Sequence, residues 1–210
     1  MGKSSQVTLP TLETEALQTE RSLKVGILGG TFNPPHLGHL IIAEQVRSTL
    51  ALDRILFLPT AIPPHQSGKS TLAANHRVNM LQLALQDNDE FVVSTIETDQ
   101  GGKNYTIDTI KKLQESYPTV DFYFIIGADM VEDLPNWHQV DQLVKMVPLV
   151  AVKRPGYSLE SEFPLLVVDV PEIAISSSEL RQMVAKGQSI RYLVPADVRF
   201  YIEQEGLYQQ

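Results

Sequence analysis

Two histidines three residues apart, His36 and His39, follow a glycine pair in the segment Gly29-Gly30-Thr31-Phe32-Asn33-Pro34-Pro35-His36-Leu37-Gly38-His39. Residues at that spacing share one face of a helical turn, so both imidazoles would aim at one point. Glycine lets a backbone approach a ligand closely, and a helix starting here offers unsatisfied N–H groups and positive potential to a phosphate. The pair therefore reads as a short anion clamp or as two ligands of a metal. No third histidine or carboxylate stands at a helical offset beside it, which favours the anion, and we expect no protein-held metal. Without context, the same residues are also compatible with a plain turn followed by two polar side chains.

A second candidate is Ile175-Ser176-Ser177-Ser178-Glu179-Leu180-Arg181. Ser176 or Ser177 is a natural helix N-cap, and the hydroxyls that follow point out of the helix start. The Arg181 fork on those first turns can reach phosphate oxygens. A plain capped helix with a solvated arginine fits the same letters. A third candidate, Gly127-Ala128-Asp129, ends an apolar run, and Trp137 follows two turns later. A carboxylate at a strand end can accept ribose hydroxyls, and an indole offers a flat face to a base. The alternatives are a helix cap for Asp129 and a core anchor for Trp137. His65, Lys153 and Arg154 are further cations expected near the same rim, whereas His76 and His138 read as lying outside the chemistry.

These groups need a frame. Short apolar runs at 24–28, 54–58, 91–96, 121–126, 149–152 and 165–168 read as strands. Helical spacing occupies 37–50, 75–85 (with Val78, Leu81 and Leu85 inward), 106–115, 128–134, 139–146, 177–186 and 196–205. Strands that alternate with helices imply an α/β fold: a Rossmann-like, doubly wound, mostly parallel sheet with helices on both faces. Ligands of such a sheet gather beyond the strand C-termini where the strand order switches. The glycine–histidine segment and Gly127 both fall at strand C-termini. Residues 1–22, rich in Thr, Glu and Gln without a clear period, read as a tail or extension; 23–210 reads as one domain.

Composition narrows the function. With 210 residues, 43% of them apolar, the chain can bury a sizeable core. A net charge of -8 repels nucleic-acid phosphates as a whole, so we expect no nucleic-acid partner and only a local anion site. The chain has no cysteine, which removes disulfides, thiolate metal sites and cysteine nucleophiles and fits a reducing cytosol. No apolar run approaches the roughly 20 residues of a membrane helix, and no signal-peptide layout opens the chain. We expect a cytoplasmic protein without a membrane partner; a homo-oligomer is left open.

Taken in order, these blocks resemble the bacterial nicotinate mononucleotide adenylyltransferases, within the HxGH nucleotidyltransferase superfamily. The resemblance runs from about Leu23 to Tyr208. It also takes in Pro63-Pro64-His65, Tyr105-Thr106-Ile107-Asp108-Thr109, Phe124-Ile125-Ile126-Gly127-Ala128-Asp129, Leu134-Pro135-x-Trp137 and Arg154-Pro155-Gly156-Tyr157. It implies a transferase of NAD biosynthesis that joins the adenylyl group of ATP to nicotinic acid mononucleotide, with Mg2+ arriving on the ATP. His36, His39 and Arg181 would contact the ATP phosphates, with Ser177 and Ser178 near the triphosphate. Gly127 and Asp129 would hold the adenosine ribose, while Gly29, Gly30, Thr31 and Phe32 would line the bound dinucleotide. Tyr105 and Thr106 would present backbone groups to the nicotinate carboxylate, Trp137 would stack on the ring, and Arg154 would serve the same end. Asn33 stands where the family usually has Asp, and Gln66 where Lys is common. A relative acting on nicotinamide mononucleotide, or a nucleotide-binding regulator with little turnover, would carry many of the same residues.

Overall fold

The computed structural model describes residues 21–61, 71–153 and 157–209. The expected extension up to residue 20, His65 and Arg154 lie outside the described residues. Arg21, at the edge of that extension, forms an ion pair with Asp53 at 2.6 Å.

Six strands form one sheet: β1 (Leu23–Gly30), β2 (Arg54–Pro59), β3 (Phe91–Val93), β4 (Val120–Gly127), β5 (Leu149–Val152) and β6 (Leu165–Val168). Their order is β3-β2-β1-β4-β5-β6, and every pairing between them is parallel. Strands buried on both faces need apolar residues at consecutive positions, and β1 shows why. Leu23, Val25 and Ile27 pack into one core cluster, and Leu28 into the other. Gly26 shares the face of Leu28, where a Cβ would sit 2.7 Å from Ile55 Cδ1. A larger residue there would have to displace the ends of the Ile55 and Leu52 side chains.

One face carries α1 (Leu37–Thr49), α2 (Ala74–Leu85), α7 (Ser177–Ala185) and α8 (Ala196–Gln204), through Val46, Leu81, Leu180 and Ile202 among others. The other carries α4 (Thr106–Ser116), α5 (Ala128–Val131) and α6 (Val140–Met146), through Ile110, Val131 and Leu143. A short α3 (Ile96–Gln100) bridges β3 and α4.

Three expectations are corrected. The strand expected over 91–96 ends at Val93. Ser94 turns its hydroxyl to the Ile96 N–H at 3.4 Å, and Thr95 Oγ1 bonds Asp99 Oδ2 at 2.7 Å. Local side-chain bonds of this kind compete with a ladder and start a helix instead. In α2, Leu81 and Leu85 face inward as expected, but Arg77 is buried where Val78 is only half-buried. The buried set Arg77, Met80, Leu81, Ala84 and Leu85 keeps helical spacing but includes a cation that an apolar pattern overlooks. The helical stretch expected over 128–134 divides into α5 and a 3-10 turn at Leu134–Asn136, where Pro135 sits in the first turn.

Candidate active site

The chain switches direction between β1 and β4, which are neighbours in the sheet although far apart in sequence. After β1 it turns to α1 on one face, and after β4 to α5 on the other, so a crevice opens between their C-terminal ends. A cavity of about 560 Å3 occupies it. Gly29, Gly30 and Thr31 line it from β1, and Gly127 and Asp129 from β4. A Cβ on Gly127 would stand 2.5 Å from Asp129 Oδ1, so the glycine is what lets that carboxylate fold back over the strand end.

The start of α4 also borders the cavity. Tyr105 and Thr106 line it there, and Trp137 lines it as well. The indole meets Phe124 edge-on, centroids 6.1 Å apart, which holds its plane. His138, read from the sequence as outside the chemistry, also lines the cavity and packs on the Tyr105 ring at 4.2 Å. Lys103 Nζ lies 4.8 Å from the centre of that ring. Glu97 lines the cavity too, 6% exposed, with Thr109 Oγ1 donating to its Oε1 at 2.8 Å. Burial raises its pKa, partly offset by that hydrogen bond. Being adjacent to Trp137 was the sequence signal for His138; Glu97 and Lys103 had none.

The expected phosphate residues assemble beside the cavity, past Thr31. His36 is the N-cap of α1 in extended conformation, and its ring stacks on that of His39 at 3.7 Å. Gly38 leaves room for this: a Cβ there would approach His36 Nδ1 to 3.0 Å. The His36 N–H donates to His39 Nδ1 at 3.2 Å. An Nδ1 that accepts keeps the ring proton on Nε2, so His39 presents a donor on its other edge. Phe32, expected to line a ligand, is instead 1% exposed. Its ring supports the clamp from below, edge-on to His39 at 5.0 Å.

The start of α7 docks onto this segment. Ser176 caps the helix, accepting from the Glu179 N–H at 3.2 Å. Ser177 Oγ donates to the Pro34 carbonyl at 2.8 Å. Arg181 donates from Nη1 to the Asn33 carbonyl at 2.8 Å and from Nη2 to Ser178 Oγ at 3.1 Å. Five N–H donors on a guanidinium leave others for a ligand. Asn33 itself is buried, and its Oδ1 accepts from the Tyr208 hydroxyl at 2.6 Å. Its side chain is thus engaged by the C-terminal segment. Burial pushes the Tyr208 phenol well above its ordinary pKa, so it remains a donor.

The remaining candidates lie apart. Lys153 is exposed just past β5 and does not line the cavity. His76 bonds the Tyr201 hydroxyl at 2.8 Å in the packing of α2 on α8. Among the described residues, no cluster of three or more His, Cys, Asp or Glu could hold a metal ion. None of the described helices is long and apolar enough to cross a membrane.

Comparison with known proteins shows the family and the fold. The cytidylyltransferase-like family matches residues 27–183. The probable nicotinate-nucleotide adenylyltransferase of Geobacillus thermodenitrificans is 52% identical over 185 residues, 88% of this chain and 86% of that protein. The counterpart in Enterococcus faecalis is 48% identical over 198 residues, 94% of this chain and 90% of its own length. Among solved structures, the Plasmodium falciparum nicotinic acid mononucleotide adenylyltransferase complexed with NaAD has the same fold, with TM-score 0.76 at 22% identity, over 89% of this chain and 97% of that one. The chain belongs to the cytidylyltransferase-like family and, within it, to the nicotinate-nucleotide adenylyltransferases.

Proposed function

We propose that this enzyme transfers the adenylyl group of ATP to nicotinic acid mononucleotide, giving nicotinic acid adenine dinucleotide and pyrophosphate. The observation that carries the reading is the joining of two helix starts, α1 with its histidines and α7 with its serines and arginine, on the segment that continues from Gly29, Gly30 and Thr31, which line a cavity together with Tyr105, Thr106 and Trp137.

A mononucleotide 5′-phosphate is already ionised at neutral pH, so its oxygen attacks the α-phosphorus of ATP without a general base. The bond from that phosphorus to the bridging oxygen breaks, and pyrophosphate leaves with the electron pair. Catalysis then consists of alignment and of stabilising the charge spread over the α-phosphate and leaving group. His39 Nε2–H and His36 would donate to the phosphates, and the remaining Arg181 donors would take the pyrophosphate. Asp129 would accept ribose hydroxyls. The first N–H groups of α4, with Tyr105 and Thr106, would meet the nicotinate carboxylate. A carboxylate gains charge-assisted hydrogen bonds there that an amide does not. Magnesium is part of the substrate, entering on ATP with phosphate oxygens and water as its main ligands.

The test is pyrophosphate release from MgATP with either nicotinic acid mononucleotide or its amide. We expect kcat/KM for the acid to exceed that for the amide by at least about tenfold, or about 1.4 kcal/mol. Equal values would remove the acid assignment, and tight ATP binding with no release from either acceptor would remove the enzymatic one.

A further inference from the structure

Arg77 heads the largest fully buried side chains of the described residues, at 1% exposure. No role in the chemistry above requires it. Removing a guanidinium from water without a counter-charge costs several kcal/mol, so a buried arginine normally carries a carboxylate partner. Among the described residues this one has none. Its donors go instead to backbone carbonyls: Nε to Leu72 at 3.1 Å, Nη1 to Thr31 at 2.9 Å and Nη2 to Ala61 at 3.1 Å. Burial lowers its pKa, and the Tyr208 phenol acts the other way. A guanidinium nevertheless stays charged in a protein.

The carbonyls it holds are not a random set. Thr31 follows β1 and lines the cavity. Ala61 follows β2, and Leu72 leads into α2, so the two flank the loop between those elements. The β1 and β2 ends are also tied by the Thr60 N–H, which donates to the Gly30 carbonyl at 3.0 Å. One planar fork therefore spans the gap between the strand ends directly behind the phosphate segment. A methionine or leucine of similar volume would fill the space without the desolvation cost, so packing alone does not account for a cation here.

We infer that Arg77 is a positioning residue for adenylyl transfer, holding the segments after β1 and β2 at the spacing that brings the acceptor phosphate into line with ATP, while touching neither substrate. The inference rests on the proposed reaction. Its signature differs from that of a binding residue, because loosened alignment lowers the rate of the bound complex and not the affinity for either substrate.

The experiment compares wild-type enzyme with Arg77→Met and Arg77→Lys at 25 °C, each first shown folded by circular dichroism and a thermal melt. We expect kcat of Arg77→Met to fall at least tenfold while the KM values for ATP and for nicotinic acid mononucleotide each stay within threefold. Arg77→Lys keeps the charge but not the fork, and its kcat should remain at least fivefold below wild type. A folded Met variant with kcat within threefold of wild type would overturn the inference, as would a loss confined to either KM. Wild-type kcat in the Lys variant would overturn the role of the fork and carries the comparison by itself if the Met variant does not fold. Failure of the proposed reaction would show in the wild-type enzyme, and failure of this inference only in the variants.

Discussion

Arg181 and Asn33 meet through a 2.8 Å hydrogen bond from guanidinium to main-chain carbonyl, although 148 residues separate them. The bond draws together two helix starts that belong to opposite ends of the chain, at the phosphate site proposed above. Its geometry also gives Arg181 a defined direction, since Nη2 is occupied by Ser178. Arg181→Ala should lower kcat for pyrophosphate release by about 100- to 1,000-fold, the magnitude seen when a preorganised transition-state donor is removed (roughly 2.7–4 kcal/mol). Arg181→Lys should recover only part, because an ammonium cannot span Asn33 and Ser178 as a fork does. Steady-state assays of both variants check this.

His39 is oriented by the hydrogen bond it accepts at Nδ1, which leaves Nε2–H as the working donor. The amide nitrogen of glutamine lies near the Nε2 position and that of asparagine near Nδ1. His39→Ala should therefore lose at least about 100-fold in kcat, and His39→Gln should retain more activity than His39→Asn. The opposite ranking, in the same assay, would show that the other ring nitrogen does the work.

Trp137 and His138 line the cavity together with Tyr105 and Thr106. Trp137→Ala should raise the KM for nicotinic acid mononucleotide by about tenfold, equivalent to about 1.4 kcal/mol, with the ATP KM changed less than threefold. His138→Ala, which removes the ring packed on Tyr105, should raise the same KM more modestly. Initial rates over a grid of both substrates separate the two constants. A larger effect on ATP would move the indole to the adenine end.

Glu97 links the site to pH. Burial raises its carboxyl pKa, so the folded chain binds this proton more tightly than the unfolded chain. The stability that follows is complete below the ordinary Glu value, about 4.3, and is lost as pH rises through the folded-state value. At neutral pH an ionised Glu97 therefore opposes folding. Glu97→Gln retains an acceptor for Thr109 and removes the charge. Its Tm should exceed wild type at neutral pH, by about 2–4 °C for each kcal/mol gained, and the gain should shrink as pH falls toward the ordinary Glu value. Melts across that range decide it: a gain independent of pH would not come from the carboxylate.

Tyr208 holds the Asn33 side chain from the last turn of the chain. Tyr208→Phe leaves a buried carbonyl oxygen without its donor and should destabilise the fold by roughly 1–3 kcal/mol. Urea unfolding, read as a lower midpoint with an unchanged slope, measures it.

The alternation of strands and helices, the serine cap of α7 and the glycine–histidine segment opening α1 were all legible in the amino-acid sequence. Each is written within a few adjacent residues, because strand burial, helix capping and close backbone approach are settled by near neighbours. The same holds for Trp137, whose separation from Gly127 already put it beyond a strand end. The early end of β3 was not legible. Ser94 and Thr95 ended β3 early because their hydroxyls found local partners, a competition that apolar patterning does not register.

From sequence alone came the order of elements, the doubly wound class and the residue types able to bind phosphates and a ring. Only the tertiary structure decided that Phe32 turns into the core, that His138 faces the cavity, and that Arg77 is buried on the Thr31, Ala61 and Leu72 carbonyls. The cause is that a side chain's environment depends on segments brought beside it by the sheet and its crossovers. Those neighbours lie tens of residues away, and no local pattern of letters encodes their distance or direction.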